Sequence, residues 1–310
     1  MRKKIGVVGS INTDLVFKTD VLPKIGETIN GKEFAIMHGG KGANEAVACA
    51  RLGQSTMILS CVGDDMFSKN EIANLHNEGV HITAVKQFKN TQGGIATIII
   101  HNSNNQIIVV PGSNALLNTA YIKKYISRIK ECSIVGCQFE VPIDSLLYLS
   151  KICKENNIKL VLNPSPIKEY PRELFDNATF VIVNEIELKE VFGYNDKRPM
   201  DTLALYPNKL IVTQGANGVS YHNGKELITI PSIKVKPIDT TGAGDTFLGA
   251  FMVAINNEMP LHDAITFANI CAGIKTTKLG AQTGMPYLKD VQKYIKQNKI
   301  KLDISRINKQ

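Results

Sequence analysis

Short β-branched runs alternate with helix-period stretches along most of the 310 residues. "KIGVVGSI" predicts a first strand, "ANEAVACARLG" a helix with Ala43, Ala46, Val47 and Ala50 on one face that stops at Gly53, and "TMILSCVG" a second buried strand. Further along, "CSIVGCQ", "DSLLYLSKICKENN", "IKLVLNPSP", "TFVIVNEIELKEVFG" and "KLIVTQG" continue the rhythm. Strand, helix, strand in repetition predicts an α/β/α fold with a mainly parallel central sheet and helices on both faces.

Two stretches break the pattern. Residues 15–38 carry short strand-like pieces around Pro23 and Gly26, and "GGIATIIIHNSNNQIIVVPG" (93–112) predicts a hairpin turning at 102–105. Together they predict a small antiparallel sheet. Both leave from the carboxyl ends of main-sheet strands, where α/β sheets bind ligands, so a lid on a single domain spanning 1–310 is expected.

The formal charge of +8 raises the question of nucleic acid. Much of the excess lies in Lys289, Lys293, Lys296, Lys299, Lys301, Arg306 and Lys309, a solvated helix face and tail with little aromatic interleaving. No nucleic-acid role is expected, and an anionic nucleotide substrate suits the charge. The six cysteines mostly lie in apolar runs without a C-x-x-C pair, as expected of buried thiols in a reducing compartment. Gly6, Gly9, Asn12 and Asp14 interrupt the first apolar run before it could form a signal core, and no stretch is long enough to span a membrane. A cytoplasmic protein is expected.

"DTTGAGDTFLGAF" (239–251) places small residues at a turn before an apolar helical pattern. The unpaired N–H groups and positive dipole end of such a helix suit an anion, yet Asp245 stands among them. Gly40, Lys41 and Asn44 in "HGGKGANEA" open another helix, which alone reads equally as a flexible helix entry. Asn12 and Asp14 end one strand and Glu140 another, an inventory for gripping hydroxyls. Asn184-x-x-Glu187 is also an ordinary capping pattern, and "IVTQGANG" (211–218) is ambiguous between hairpin and phosphate contact. Gly26-x-x-x-x-Gly31-Lys32 is followed by Glu33 in place of the Ser or Thr of a P-loop, and is a turn.

"GSINTD", "GGKGAN", "NPSP", Asn184-x-x-Glu187 and "DTTGAGDTF", in this order over about residues 5–297, closely resemble the ribokinase (PfkB-type) family of carbohydrate kinases. The resemblance implies that Asp245 is the general base for the sugar hydroxyl, with backbone N–H groups around Gly242, Ala243 and Gly244 stabilising the phosphoryl group. It places Asn12, Asp14, Gly40, Lys41, Asn44 and Glu140 on the sugar, and Asn184, Thr213, Gly215, Gly218 and Asn269 along ATP. Glu187 would act near Mg²⁺ through water. A monovalent cation, K⁺, would be held by Asp239, Thr241 and backbone oxygens of the 275–284 loop, through Lys275, Lys278 and Gly280. A homodimer through the lid is also implied.

The expected activity is transfer of the ATP γ-phosphoryl group to the 5-hydroxyl of D-ribose. Kinases of 2-deoxyribose, fructose, another furanose or a nucleoside, and a catalytically weak sugar-binding regulator, are the alternatives. Three departures from the family pattern stand out. Gly284 replaces a serine whose hydroxyl would be a cation ligand, His38 replaces an apolar residue and is expected to be a packing substitution, and the 193–208 connection is short.

Overall fold

The computed structural model describes residues 4–101, 104–192 and 199–307. The strands are β1 (Lys4–Val8), β2 (Asn12–Lys18), β3 (Glu33–Gly39), β4 (Thr56–Val62), β5 (His81–Gln87), β6 (Gly94–His101) and β7 (Asn104–Val110). They continue as β8 (Cys132–Gln138), β9 (Lys159–Asn163), β10 (Phe180–Asn184), β11 (Leu210–Thr213), β12 (Val219–His222) and β13 (Leu227–Ile230). Nine of them form one sheet in the order β13-β12-β11-β10-β9-β8-β1-β4-β5, parallel from β11 to β5 and antiparallel only at the β12–β13 edge.

Two apolar layers explain the buried strand runs. Ala46, Val47, Phe251 and Phe267 lie in one, and Leu146, Leu149, Phe139 and Phe175 in the other. Strands covered on both faces read as near-continuous apolar segments, and β4, apolar but for Thr56 and Ser60, is buried along its whole length. On the first layer, helix Lys41–Arg51 meets helix Ala243–Asn256 so closely that a Cβ on Gly249 would stand 2.6 Å from the Ala48 Cβ. All six cysteines are buried and free.

Strand order reverses at β1, whose neighbours are β8 and β4. Ser10 and Asn12 follow β1, while Gln138 ends β8 and Glu140 follows it, so the polar groups gather at a topological switch point. The second sheet has the order β3-β2-β6-β7. Its two outer pairings are antiparallel, but the central β2–β6 pairing is parallel, Asp14 lying opposite Ala96. This follows from connectivity, since β6 re-enters alongside β2 after the β4–β5 excursion instead of through a hairpin. The expected hairpin is present, β6 and β7 pairing antiparallel with His101 opposite Asn104; residues 102–103 of its turn and 193–198 of the 193–208 connection lie outside the described residues. Gly26 to Lys32 forms no phosphate loop; Gly26 sits at φ 80° in a turn and Glu33 opens β3.

Candidate active site

Asp245 is 6% exposed in the first turn of helix Ala243–Asn256. Gly242 precedes it at φ 74°, and a Cβ there would stand 2.8 Å from the Ala281 Cβ, so both conformation and space demand glycine. The Thr246 N–H makes the first helical bond, to the Gly242 carbonyl at 2.9 Å. The expectation for Ala243 needs correction. Its N–H is spent on the Thr240 carbonyl at 3.1 Å, closing the turn, which leaves Gly242 and Gly244 as the candidate phosphoryl donors of this segment.

The Asp245 carboxylate is oriented from the other helix. Asn44 Nδ2 donates to its Oδ2 at 2.7 Å, and the Lys41 ammonium lies 3.7 Å from its Oδ1. Burial alone would lower the Lys41 pKa, but Asp245, Glu140 and Glu187 together hold it above the ordinary lysine value. Asn44 Oδ1 in turn accepts from Gln282 at 3.0 Å, and Asn74 donates to Gln282 at 2.7 Å. Asn44 is thus first a partner of Asp245; its carbonyl is engaged and one amide hydrogen remains for a sugar.

The sugar-side expectations converge. One Glu140 oxygen accepts from the Lys41 N–H at 3.1 Å, from Asn12 Nδ2 at 3.4 Å and from the Ser10 hydroxyl, tying two strand exits to a helix start. Asp14 is 8% exposed, and its pKa is pushed up to about 7, first by burial and then by Glu140, Glu71 and Asp245. Its carboxylate lies over Gly39, where a Cβ would come within 2.1 Å of Oδ1. Gly40, at φ 88°, leaves room for the Asn12 N–H.

His38 is not merely a packing substitution. Its Nδ1 lies 3.0 Å from the buried Glu71 carboxylate, which also accepts from the Thr13 hydroxyl at 2.9 Å. The Glu71 hydrogen bond raises the His38 pKa, overcoming burial.

A cavity of about 530 Å³ extends from Lys41 and the 242–245 turn toward β10 and β11, and Asn184, Glu187, Thr213, Gly215, Gly218 and Asn269 all line it. Gly218 needs its glycine, with φ 96° and the Ile230 carbonyl 2.0 Å from a would-be Cβ. Asn184 and Glu187 also form the capping pair: Asn184 Oδ1 accepts from the Glu187 N–H at 2.8 Å, and Glu187 accepts from the Asn184 N–H at 2.9 Å. The capping reading of that motif therefore holds, and both residues line the cavity as well. "IVTQGANG" likewise makes the β11–β12 hairpin and lines the cavity.

The ring assigned by resemblance to K⁺ does not fit that ion. Asp239 accepts from the Thr241 N–H at 2.9 Å and from the Gly280 N–H at 2.8 Å, so Gly280 turns a donor toward it. Lys275 contributes its ammonium, which donates to the Asp239 carbonyl at 2.8 Å and leaves that oxygen engaged. Hydrogen bonds from Thr241 and Gly280 outweigh burial and keep the Asp239 carboxyl below its usual pKa. Asn114, Gln282 and the Lys275 ammonium were missed by sequence reasoning. Asn114 clamps Ile11, accepting from its N–H at 3.0 Å and donating to its carbonyl at 3.2 Å, while also donating to Asn12 Oδ1 at 2.7 Å. The only available signal was a polar residue following a glycine-marked turn.

A carboxylate at a helix N-terminus, with a cluster of polar groups on one side and a long cavity on the other, suits a phosphotransferase acting on a sugar hydroxyl. The pfkB family carbohydrate kinase pattern matches residues 2–288, and the chain belongs to that family. It is 39% identical to a ribokinase of Lactococcus lactis subsp. lactis (strain IL1403), over 96% of this chain and 99% of that protein. It is 32% identical to a deoxyribokinase of Salmonella typhi, over 95% and 99%. The Arabidopsis thaliana ribokinase complexed with ribose and ATP superposes with a TM-score of 0.87 at 29% identity, covering 96% of this chain and 99% of that one. No helix among the described residues is long and apolar enough to cross a membrane.

Proposed function

We propose that the chain transfers the γ-phosphoryl group of ATP to the 5-hydroxyl of D-ribose. The single observation that carries the reading is the placement of Asp245 between the two binding regions, held by Asn44 at 2.7 Å and faced by Lys41 at 3.7 Å. Asp245 takes the proton as the hydroxyl oxygen attacks phosphorus, and the N–H groups of Gly242 and Gly244 receive charge developing on the phosphoryl oxygens. Lys41 balances charge on the same side. Asn12, Asp14 and Glu140 orient the sugar, and Asn184, Thr213, Gly215, Gly218 and Asn269 orient the nucleotide.

Mg²⁺ would arrive with the ATP phosphates, with Glu187 acting on it through water. The β3-β2-β6-β7 sheet, formed by about residues 15–38 and 93–112, would serve as a lid that excludes competing water. Phe34, Ile36, Ile107 and Ile108 are exposed on that sheet, which supports its use as the contact of a homodimer. The expected compartment is the cytoplasm.

The first test is coupled ADP release with ATP and Mg²⁺ across ribose, 2-deoxyribose, fructose, other pentoses and nucleosides. Preference for ribose supports the assignment, preference for 2-deoxyribose moves it to the deoxyribokinase branch, and silence throughout favours a binding protein. Asp245→Asn should retain sugar binding and lose about 10²–10⁴-fold in kcat, because an amide does not accept the proton.

A further inference from the structure

Lys275 ends helix Leu261–Lys275 with no exposed surface. Its ammonium lies 2.8 Å from the Asp239 carbonyl and 4.0 Å from Asp239 Oδ2. That same carboxylate holds the N–H groups of Thr241 and Gly280, at 2.9 and 2.8 Å. A fixed positive charge therefore sits where the turn leading into Gly242–Asp245 meets the 275–284 loop. A Cβ on Gly284 would lie 3.0 Å from Lys275 Cε, 2.8 Å from the Lys275 carbonyl and 3.4 Å from the Lys278 carbonyl. The two peculiarities explain each other: Gly284 vacates the space that the lysine stem crosses.

An ammonium is close to K⁺ in size and charge, and two such charges in one small shell repel. We propose that the Lys275 ammonium is a tethered substitute for a monovalent cation, holding the 239–242 turn in its anion-accepting shape, so that phosphoryl transfer needs no K⁺. The proposal rests on the kinase reading of Asp245 and its turn. Lys275 does not line the cavity beside Asp245, and acts as a positioning residue.

Turnover is measured in tetramethylammonium chloride and in KCl at equal ionic strength, for the wild-type protein, Lys275→Met, Lys275→Ala and Lys275→Ala/Gly284→Ser. Wild-type kcat should agree within about two-fold between the salts. Lys275→Met should lose at least about ten-fold in either salt, having volume but no charge. Lys275→Ala, and more fully the double variant with its restored hydroxyl, should lose as much in tetramethylammonium and recover in KCl. Thermal melting supplies the readout independent of substrate: KCl should raise the melting temperature of the alanine variants and leave the wild type unmoved.

A several-fold rise of wild-type kcat with KCl would overturn the proposal, as would wild-type activity in Lys275→Met. So would folded alanine variants that KCl neither reactivates nor stabilises. Should the wild-type protein leave ribose untouched in both salts, the ribose assignment fails while the melting curves still decide the cation question.

Discussion

Asn44 Nδ2 and Asp245 Oδ2 meet at 2.7 Å across 201 residues of chain, a bond between helix Lys41–Arg51 and helix Ala243–Asn256. One side is fixed in turn by Gln282 and Asn74. Asn44 thereby aims the carboxylate before any substrate arrives. Truncating it to alanine should reduce kcat by about 10- to 100-fold through misorientation, with a smaller rise in sugar KM. Asn44→Ser, which keeps a short donor, should recover part of the loss. A variant with unchanged kcat and a large KM effect would make Asn44 a sugar ligand alone.

The Asp14 carboxyl titrates at about 7 because burial, reinforced by Glu140, Glu71 and Asp245, resists its ionisation. Its folded pKa exceeds the ordinary 3.8, so the associated stability is fully present below 3.8 and is lost as pH rises through about 7. Sugar hydroxyls donate best to the ionised form and relieve this cost. The ribose KM should therefore fall about three- to ten-fold between about pH 6 and about pH 8. Asp14→Asn should flatten that dependence; an identical slope in the variant would assign the titration to another group.

Periodicity was sufficient for the parallel sheet, since strands covered on both sides are mostly apolar, as β4 and β8 are apart from Thr56, Ser60, Ser133 and Gln138. The glycine-marked turns at Gly40 and Gly242 were legible for the same reason: a positive φ leaves a signature in residue type. Direction was not legible. Nothing in "NTDLVFK" or "GIATIIIH" distinguishes a parallel from an antiparallel partner, because side-chain alternation is the same for both. The hydrogen bonds of Asn114, Gln282 and Lys275 were equally hidden, since they depend on residues distant in sequence becoming neighbours. Lys275 in particular reads as a surface cation until the fold encloses it.

His38 and Glu71 form a pair whose charge depends on pH. Hydrogen bonding to Glu71 raises the His38 pKa above the ordinary 6.5, so this contribution is fully present below 6.5 and disappears as pH rises through the folded value. Burial raises the Glu71 pKa as well, despite His38 and Thr13, and that shift has the same sign. Because the imidazole is 39% exposed, solvent screening keeps the pair to less than about 1 kcal/mol. Comparing wild type with His38→Phe by denaturant unfolding, the stability difference should be largest near about pH 6 and shrink by about pH 9. A constant difference across that range would assign His38 a packing role only.

Gly249 lets the helices carrying Asn44 and Asp245 approach one another. A methyl group there would stand 2.6 Å from the Ala48 Cβ and 2.9 Å from the Glu45 carbonyl, and the latter is helix backbone that cannot swing aside. Gly249→Ala gains slightly in helix propensity, by about 1 kcal/mol, but overpacking costs about 1–3 kcal/mol. Forcing the helices apart also lengthens the Asn44–Asp245 bond. The variant should therefore melt lower, by no more than a few °C for a net loss of up to about 2 kcal/mol, and lose kcat more than sugar affinity. If it melted higher than wild type with full kcat, the close crossing would not be what holds Asp245 in place.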